Sequence, residues 1–138
     1  VGRPDPHAGE VPVAYVQLQD GAKLTPEKIL AHLQAEVGER AAIPKEVFIL
    51  DEMPLTPVGK IFKPKLRWEA ARRVYAKELE ALGDLAQECS VTVGEDKVHG
   101  TLATIRVKPA QGVSASQLED KVSEILSRYT VAYRLEIS

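Results

Sequence analysis

Residues 47–83, which begin VFILDEMPLTPVGKIFKPKL, give the clearest indication of the fold class. The first four of these residues, Val47 to Leu50, form an apolar run of strand length and predict a short buried strand. Residues 51–59 contain two prolines and a glycine, which predict an irregular loop. From Pro64 to about Leu82 apolar residues recur at helical spacing, and Gly83 predicts the end of that helix. The order strand, loop and helix predicts a domain with both α and β structure.

The sequence before this segment predicts a loop, a strand and a helix. Residues 3–10 are rich in turn formers and predict a loop. Residues 11–19 are largely apolar at both odd and even positions, which predicts a strand buried on both faces. Thr25-Pro26-Glu27 then matches a helix start, with threonine as N-cap, proline at the first helical position and an acid at the positive end of the dipole. Gly38 predicts the end of this helix.

Residues 84–138 predict a separate ββαβ unit. Two strands, at 90–93 and 98–107, flank a predicted turn at Gly94–Asp96. Ser114 and Gln117 form a predicted capping box at the start of a helix. Residues 131–137 alternate apolar and polar and predict a half-buried strand. The expected fold class is therefore α+β, a small mixed sheet with flanking helices followed by an appended ββαβ subdomain, with domains at 1–83 and 84–138.

The composition is that of an ordinary globular protein. Hydrophobic residues make up 44% of the 138 residues, charged residues 28%, and the net charge is −2. This charge gives no reason to expect a nucleic-acid partner. A single cysteine, Cys89, excludes an internal disulfide, and the histidines lack the paired spacing of a zinc site, so no metal is expected. Neither a signal peptide nor a membrane span is recognisable, and a cytoplasmic location is expected.

Lys60 is the candidate catalytic residue. It follows a glycine on a loop stiffened by prolines, and its ammonium group is a compact charge suited to a phosphate or carboxylate oxygen. The alternative is an ordinary solvated surface lysine. A phosphate-binding P-loop is excluded because that motif needs glycine where Pro54 stands and Ser or Thr where Ile61 stands.

Two motifs give the segment a family resemblance. Residues 49–61 resemble the C-terminal lysine motif of the adenylate-forming superfamily, which includes acyl-CoA synthetases, luciferases and peptide-synthetase adenylation domains. The upstream segment 1–16 resembles a second motif of these enzymes. The matching residues are, in order, Val1, Gly2, Pro4, Asp5, Gly9, Glu10, Ala14, Tyr15, Val16, Ile49, Asp51, Pro54, Thr56, Gly59, Lys60 and Ile61. The resemblance covers residues 1–75, and we expect the C-terminal domain of an AMP-forming acyl-CoA synthetase.

The resemblance implies a role for each part of the motif. Lys60 would enter the active site of a large N-terminal domain during formation of the acyl-adenylate, and Thr56 and Gly59 would belong to the loop that approaches the adenylate. ATP and Mg²⁺ would be bound mainly by that large domain, acting in cis, and the small domain would rotate before CoA receives the acyl group. The hinge and first strand of the family domain would precede Val1, so the isolated chain is expected to be inactive. Acetylation of Lys60 is a further implication.

The substrate and some contacts stay open at this stage. Lys63, Lys65 and Arg67 are candidates for contact with the phosphates of CoA, or they form the solvated face of a helix. The sequence departs from the common family pattern at residues 40–43 and 62–65, so the chain length of the carboxylic or fatty acid is not predicted. Two alternatives remain: an adenylating enzyme with another acyl acceptor, and a non-catalytic docking or self-association module.

An unpaired strand edge is expected where the first strand of the family domain is absent. Such an edge favours pairing with another chain or segment, so strand pairing or a dimer in a crystal is expected.

Overall fold

The computed structural model describes all residues 1–138, which form two compact units. The first unit contains Val1–Arg3 and Glu10–Arg67, and the second contains Pro4–Gly9 and Trp68–Ser138. The α+β class is confirmed by three α-helices and three small sheets. None of the helices combines the length and apolar character that crossing a membrane requires.

Seven strands and three α-helices make up the chain, with two short 3-10 segments. The strands are β1 Gly2–Asp5, β2 Gly9–Pro12, β3 Ala14–Gln17, β4 Val47–Leu50, β5 Ala86–Asp96, β6 Gly100–Pro109 and β7 Ala132–Ile137. The helices are α1 Pro26–Glu36, α2 Lys63–Leu79 and α3 Ala115–Leu126. The 3-10 segments are Arg40–Ala42 and Glu80–Leu85.

The loop predicted at residues 3–10 is wrong at both of its ends. β1 and β2 occupy those ends and pair with each other, which leaves only residues 6–8 as a turn. Asp5 creates this turn because its Oδ2 accepts the N–H groups of His7, at 3.0 Å, and Ala8, at 2.8 Å. The turn-forming residues therefore connect two paired strands and do not form a continuous loop.

The strand predicted at residues 11–19 is two strands. β2 ends at Pro12 and β3 starts at Ala14, with the buried Val13 between them. The chain changes partner here, because the Val13 N–H donates to the Val1 carbonyl at 2.9 Å, whereas the Ala14 N–H donates to the Glu46 carbonyl at 3.0 Å. β3 pairs in parallel with β4, with Tyr15 opposite Phe48. The other predictions for this region are confirmed: Thr25 caps α1 by accepting the N–H of Lys28, Pro26 is the first helical residue, and the helix ends before Gly38.

The predicted ββαβ order is present in the second unit. β5 and β6 are antiparallel, α3 follows with the predicted Ser114–Gln117 capping box, and β7 lies parallel to β6. The turn between β5 and β6 is not at Gly94–Asp96 but at residues 97–99. Asp96 fixes it there because Oδ2 accepts the N–H groups of Val98, at 3.1 Å, and His99, at 2.9 Å.

The core of the second unit begins well before residue 84. Tyr75 and Leu79 of α2, with Leu82 after it, are buried together with residues from the sheet and from α3, namely Val91, Ala103, Ile105, Val107, Leu118, Val122 and Leu126. The compact unit thus starts at Trp68, whereas the sequence placed a boundary at residue 83. The assignment of 1–83 and 84–138 as two functional domains stays a prediction.

Tyr75 makes the stability of this core dependent on pH. It has no exposed surface, its hydroxyl donates to the Val131 carbonyl at 2.8 Å, and its ring meets Tyr129 edge to face at 5.5 Å. Burial raises the pKa of Tyr75 to about 12. Because an unfolded tyrosine has a pKa of about 10, the unfolded chain loses this proton first as pH rises. The stabilisation of the fold by protonated Tyr75 is therefore complete below pH 10 and declines as the pH rises towards about 12.

We therefore expect the free energy of unfolding to fall between pH 10 and about 12. Urea denaturation across this range should show a steeper fall for the wild type than for Tyr75→Phe, because phenylalanine does not titrate. Tyr129, whose pKa burial also raises, contributes to the fall in both proteins. The variant should also be about 1 kcal/mol less stable at pH 7, because it lacks the hydrogen bond. Parallel stability curves for the two proteins would contradict the coupling.

Candidate functional site

Lys60 lies on a short β-hairpin that follows β4. Leu55 and Ile61 form an antiparallel bridge, the Thr56 N–H donates to the Lys60 carbonyl at 2.7 Å, and the Phe62 N–H donates to the Pro54 carbonyl at 2.8 Å. The sequence predicted an irregular loop here, because two prolines exclude a regular strand. The hairpin avoids this restriction because neither proline is required as a hydrogen-bond donor.

The tip of the hairpin is a three-residue loop, residues 57–59. The Gly59 N–H donates to the Thr56 carbonyl at 2.9 Å, which closes a turn with Pro57 in the position that proline favours. Gly59 has φ of +83°, a left-handed conformation that strains any residue with a Cβ. This is the pattern of a turn followed by a bulge glycine. Gly59 is therefore required by the backbone, and its role can be understood without any contact to a ligand.

Thr56 holds the backbone of Lys60 at both its polar groups. Besides the bond from the Thr56 N–H, the Thr56 Oγ1 accepts the N–H of Lys60 at 3.1 Å. The start of the hairpin is held as well, since the Met53 N–H donates to Gln17 Oε1 at 2.7 Å. Lys60 itself is exposed and forms no ion pair. Its ammonium group is thus a charge on a fixed backbone position, available to an external anion.

The chain after the hairpin adds positive potential. α2 begins at Lys63 and has no acidic residue in its first turn, which carries Lys63 and Lys65. Cations at a helix N-terminus oppose the helix dipole and cost stability. An incoming phosphate or carboxylate would relieve this repulsion, whereas a merely structural helix would gain from an acid there. The arrangement favours an anionic ligand.

The three candidates for contact with CoA do not form one cluster. Lys63 and Arg67 are four residues apart and share a helix face, whereas Lys65 lies on a different face. Arg67 already pairs with Glu10, at 2.6 Å, and both side chains are about half exposed. Glu10 was not identified as a partner from the sequence, although it lies in the upstream motif. Its carboxylate lies over Gly2, where an added Cβ would come within 2.5 Å of Oε2.

The remaining titratable candidates form no further site. No group of three or more His, Cys, Asp or Glu residues is placed to hold a metal ion. His99 Nδ1 lies 3.0 Å from Asp96 Oδ2 at the exposed β5–β6 turn, and Cys89 is exposed on β5.

A cavity of about 460 Å³ lies between β3 and α1, lined mainly by apolar side chains such as Val16, Leu24 and Leu33.

The family assignment follows from comparison with known proteins. Residues 1–60 match the family described as the AMP-binding enzyme C-terminal domain. This part of the chain belongs to that family, and the resemblance to AMP-forming acyl-CoA synthetases is confirmed. The match ends at Lys60, so the family covers the hairpin up to its lysine.

Curated relatives are named as CoA ligases. Marinolic acid–CoA ligase of Pseudoalteromonas sp. is 34% identical over 128 residues, which are 91% of this chain and 19% of the relative. Acetyl-coenzyme A synthetase of Deinococcus radiodurans is 43% identical over 84 residues, 61% of this chain and 13% of the relative. Indoleacetate–CoA ligase of Aromatoleum aromaticum is 38% identical over 78 residues, 56% of this chain and 15% of the relative.

The chain therefore spans less than a fifth of the length of these relatives. The similarity to the first of them extends into residues 84–138, because 91% of the chain is more than residues 1–83. No solved structure matches the chain.

Proposed function

We propose that this chain is the small C-terminal domain of an acid–thiol ligase, and that Lys60 assists the first half-reaction. In that step a carboxylate oxygen attacks the α-phosphorus of ATP, the bond to the bridging oxygen of pyrophosphate breaks, and an acyl-adenylate forms. In the second step the CoA thiol displaces AMP to give a thioester. The observation that carries the proposal is the position of Lys60, which is unpaired and held on a rigid hairpin tip.

Electrostatics gives Lys60 its role. Two anions, the carboxylate and the triphosphate, approach each other in the first step, and negative charge is redistributed over the phosphoryl oxygens. An ammonium group carried on a preorganised backbone lowers the repulsion and stabilises that charge distribution. The backbone of Lys60 is fixed by two hydrogen bonds before the ligand arrives, so little of this stabilisation is lost to ordering the loop.

The other requirements of the reaction fall outside this chain. ATP and Mg²⁺ are assigned to a large N-terminal domain acting in cis, as the family resemblance implies. For CoA, the candidate cations are Lys63, Lys65 and Arg67, and Arg67 also forms an exposed ion pair with Glu10. The names of the relatives support CoA as the acceptor. Fatty acids, other carboxylic acids and a cytoplasmic location remain parts of the proposal.

The proposal is tested by pyrophosphate release from the full-length protein. Acids of increasing chain length and aromatic acids would be supplied with Mg-ATP, with and without CoA. We expect acid-dependent pyrophosphate release, and thioester formation only when CoA is present. The chain expressed alone, residues 1–138, serves as the matched control and should release none. Pyrophosphate release without any thioester would indicate another acceptor, and no acid-dependent release would contradict the proposal.

A docking or self-association module remains the alternative, and it would use residues 84–138 together with the end of α2. These residues form one core with Tyr75, Leu79 and Leu82, and that core contains no residue of the first compact unit. A core of its own is what a separate module requires, so this observation does not count against the alternative.

A further inference from the structure

Thr56 forms three hydrogen bonds with the residues at the hairpin tip. Its N–H donates to the Lys60 carbonyl at 2.7 Å, its carbonyl accepts the Gly59 N–H at 2.9 Å, and its Oγ1 accepts the Lys60 N–H at 3.1 Å. The first two bonds use the backbone and are open to any residue. Only the third depends on the side chain.

We infer that Thr56 is a positioning residue for Lys60, acting through the hydrogen bond from the Lys60 N–H to its hydroxyl oxygen. The inference rests on the proposed function for its effect on catalysis, but the hydrogen bond itself does not. Four rotatable bonds separate the Lys60 ammonium from its Cα, so the direction in which the side chain leaves the backbone sets the region that the ammonium can reach. Loss of the third bond removes the restraint on the N–H of the peptide unit that joins Gly59 to Lys60, and glycine allows a wide range of backbone conformations on its side of that unit.

This role differs from direct contact of Thr56 with the adenylate, which is the other role open to a residue of the loop that approaches the adenylate. The two roles make different predictions for a variant that also lacks Lys60. A positioning residue has no effect once Lys60 is gone, whereas a residue that touches the adenylate keeps its effect. A double-mutant cycle therefore separates them.

Thr56→Val is the suitable substitution, with Thr56→Ser as the matched control. Valine has the shape of threonine without the hydroxyl, and the residue before Pro57 favours an extended backbone that valine also adopts. The two backbone bonds of Thr56 remain. Serine restores the hydroxyl and lacks only a methyl group.

The first measurement is amide hydrogen exchange by NMR in this chain. The Lys60 N–H should exchange faster in Thr56→Val than in the wild type, and Thr56→Ser should behave like the wild type. The Gly59 N–H is the internal control, because it donates to the Thr56 carbonyl and not to the hydroxyl. Unchanged exchange at Lys60 in the valine variant would overturn the inference.

The second measurement is acyl-adenylate formation by the full-length protein. Thr56→Val should lower kcat for this step by about 10- to 100-fold, the range expected when a reacting group is misplaced by about 1 Å. Thr56→Ser should restore activity to within about twofold of the wild type, since it keeps the acceptor oxygen. In a Lys60→Ala background, Thr56→Val should cause no further loss.

The outcomes separate this inference from the proposed function. If Lys60→Ala is harmful and Thr56→Val is neutral, only the positioning role fails. If Thr56→Val causes the same loss with and without Lys60, Thr56 contacts the adenylate directly, and the positioning role is again overturned. If Lys60→Ala leaves adenylation unchanged, the proposed function fails and the catalytic part of this inference fails with it, while amide exchange still decides the hydrogen bond.

Discussion

Replacement of Lys60 by alanine is expected to lower acyl-adenylate formation by about 100- to 1000-fold in the full-length protein, the usual loss for one preorganised donor at a developing negative charge. Lys60 is well suited to such an effect because its ammonium group has no competing carboxylate and its backbone is fixed at both polar groups. The measurement is a single-turnover assay of adenylate formed from acid and Mg-ATP.

The second half-reaction provides the first control for this prediction. Thioester formation from preformed acyl-adenylate should change far less, because the charge that Lys60 stabilises has already been transferred. Equal losses in both half-reactions would contradict the assigned role. Lys77→Ala, a change of another exposed lysine at the far end of α2, should leave both half-reactions unaffected.

Two further substitutions at Lys60 separate charge from geometry. Lys60→Arg keeps the charge but replaces a compact ammonium by a planar guanidinium, so partial activity is expected. Lys60→Gln removes the charge at similar length and resembles acetyl-lysine, so it should be as inactive as alanine. A fully active glutamine variant would mean that acetylation at this position has no regulatory effect.

Leu118→Ala is expected to destabilise the second unit by about 2–5 kcal/mol, the usual cost of removing most of a fully buried aliphatic side chain. Leu118 has no exposed surface and lies in the core that joins α3 to the sheet and to Tyr75. The capping box at Ser114 and Gln117 is untouched by the substitution, so the loss reports packing and not helix initiation. Chemical denaturation followed by circular dichroism measures it.

The adjacent residue supplies the matched control for this prediction. Glu119 is exposed and takes part in no ion pair, so Glu119→Ala should change stability by no more than about 0.5 kcal/mol. If the two variants unfold at the same denaturant concentration, Leu118 is not a core residue and the packing of α3 on the sheet is wrong.

Local signals explain which elements were predictable from the sequence. The starts of α1 and α3 followed from Thr25 and Ser114, because capping depends on residues within one turn. Strand β7 was predictable because apolar and polar residues alternate over residues 131–137. The turn at residues 97–99 was not predicted, because a Gly-Glu-Asp sequence resembles a turn and the decisive contact is the Asp96 carboxylate with two later N–H groups.

The candidate site was predictable only in part. Lys60 was identified from the spacing of its motif, and the structure adds a hairpin where prolines had excluded a strand. The Arg67–Glu10 ion pair joins residues 57 positions apart, and no local pattern in the sequence reports such a contact. The start of the second compact unit at Trp68 was also missed, because α2 reads as one continuous amphipathic helix.

The position of Tyr75, Leu79 and Leu82 in the second core limits how this polypeptide can be divided. If the chain were divided at residue 83, by a gene fusion, an expression boundary or a recombination joint, three buried side chains would be on one product. The residues that they pack against would be on the other. The long segment of the second compact unit begins at Trp68, so a piece that starts there contains every residue of this core. Inheritance of residues 84–138 as a cassette would therefore require the helix that follows Lys60 to travel with them.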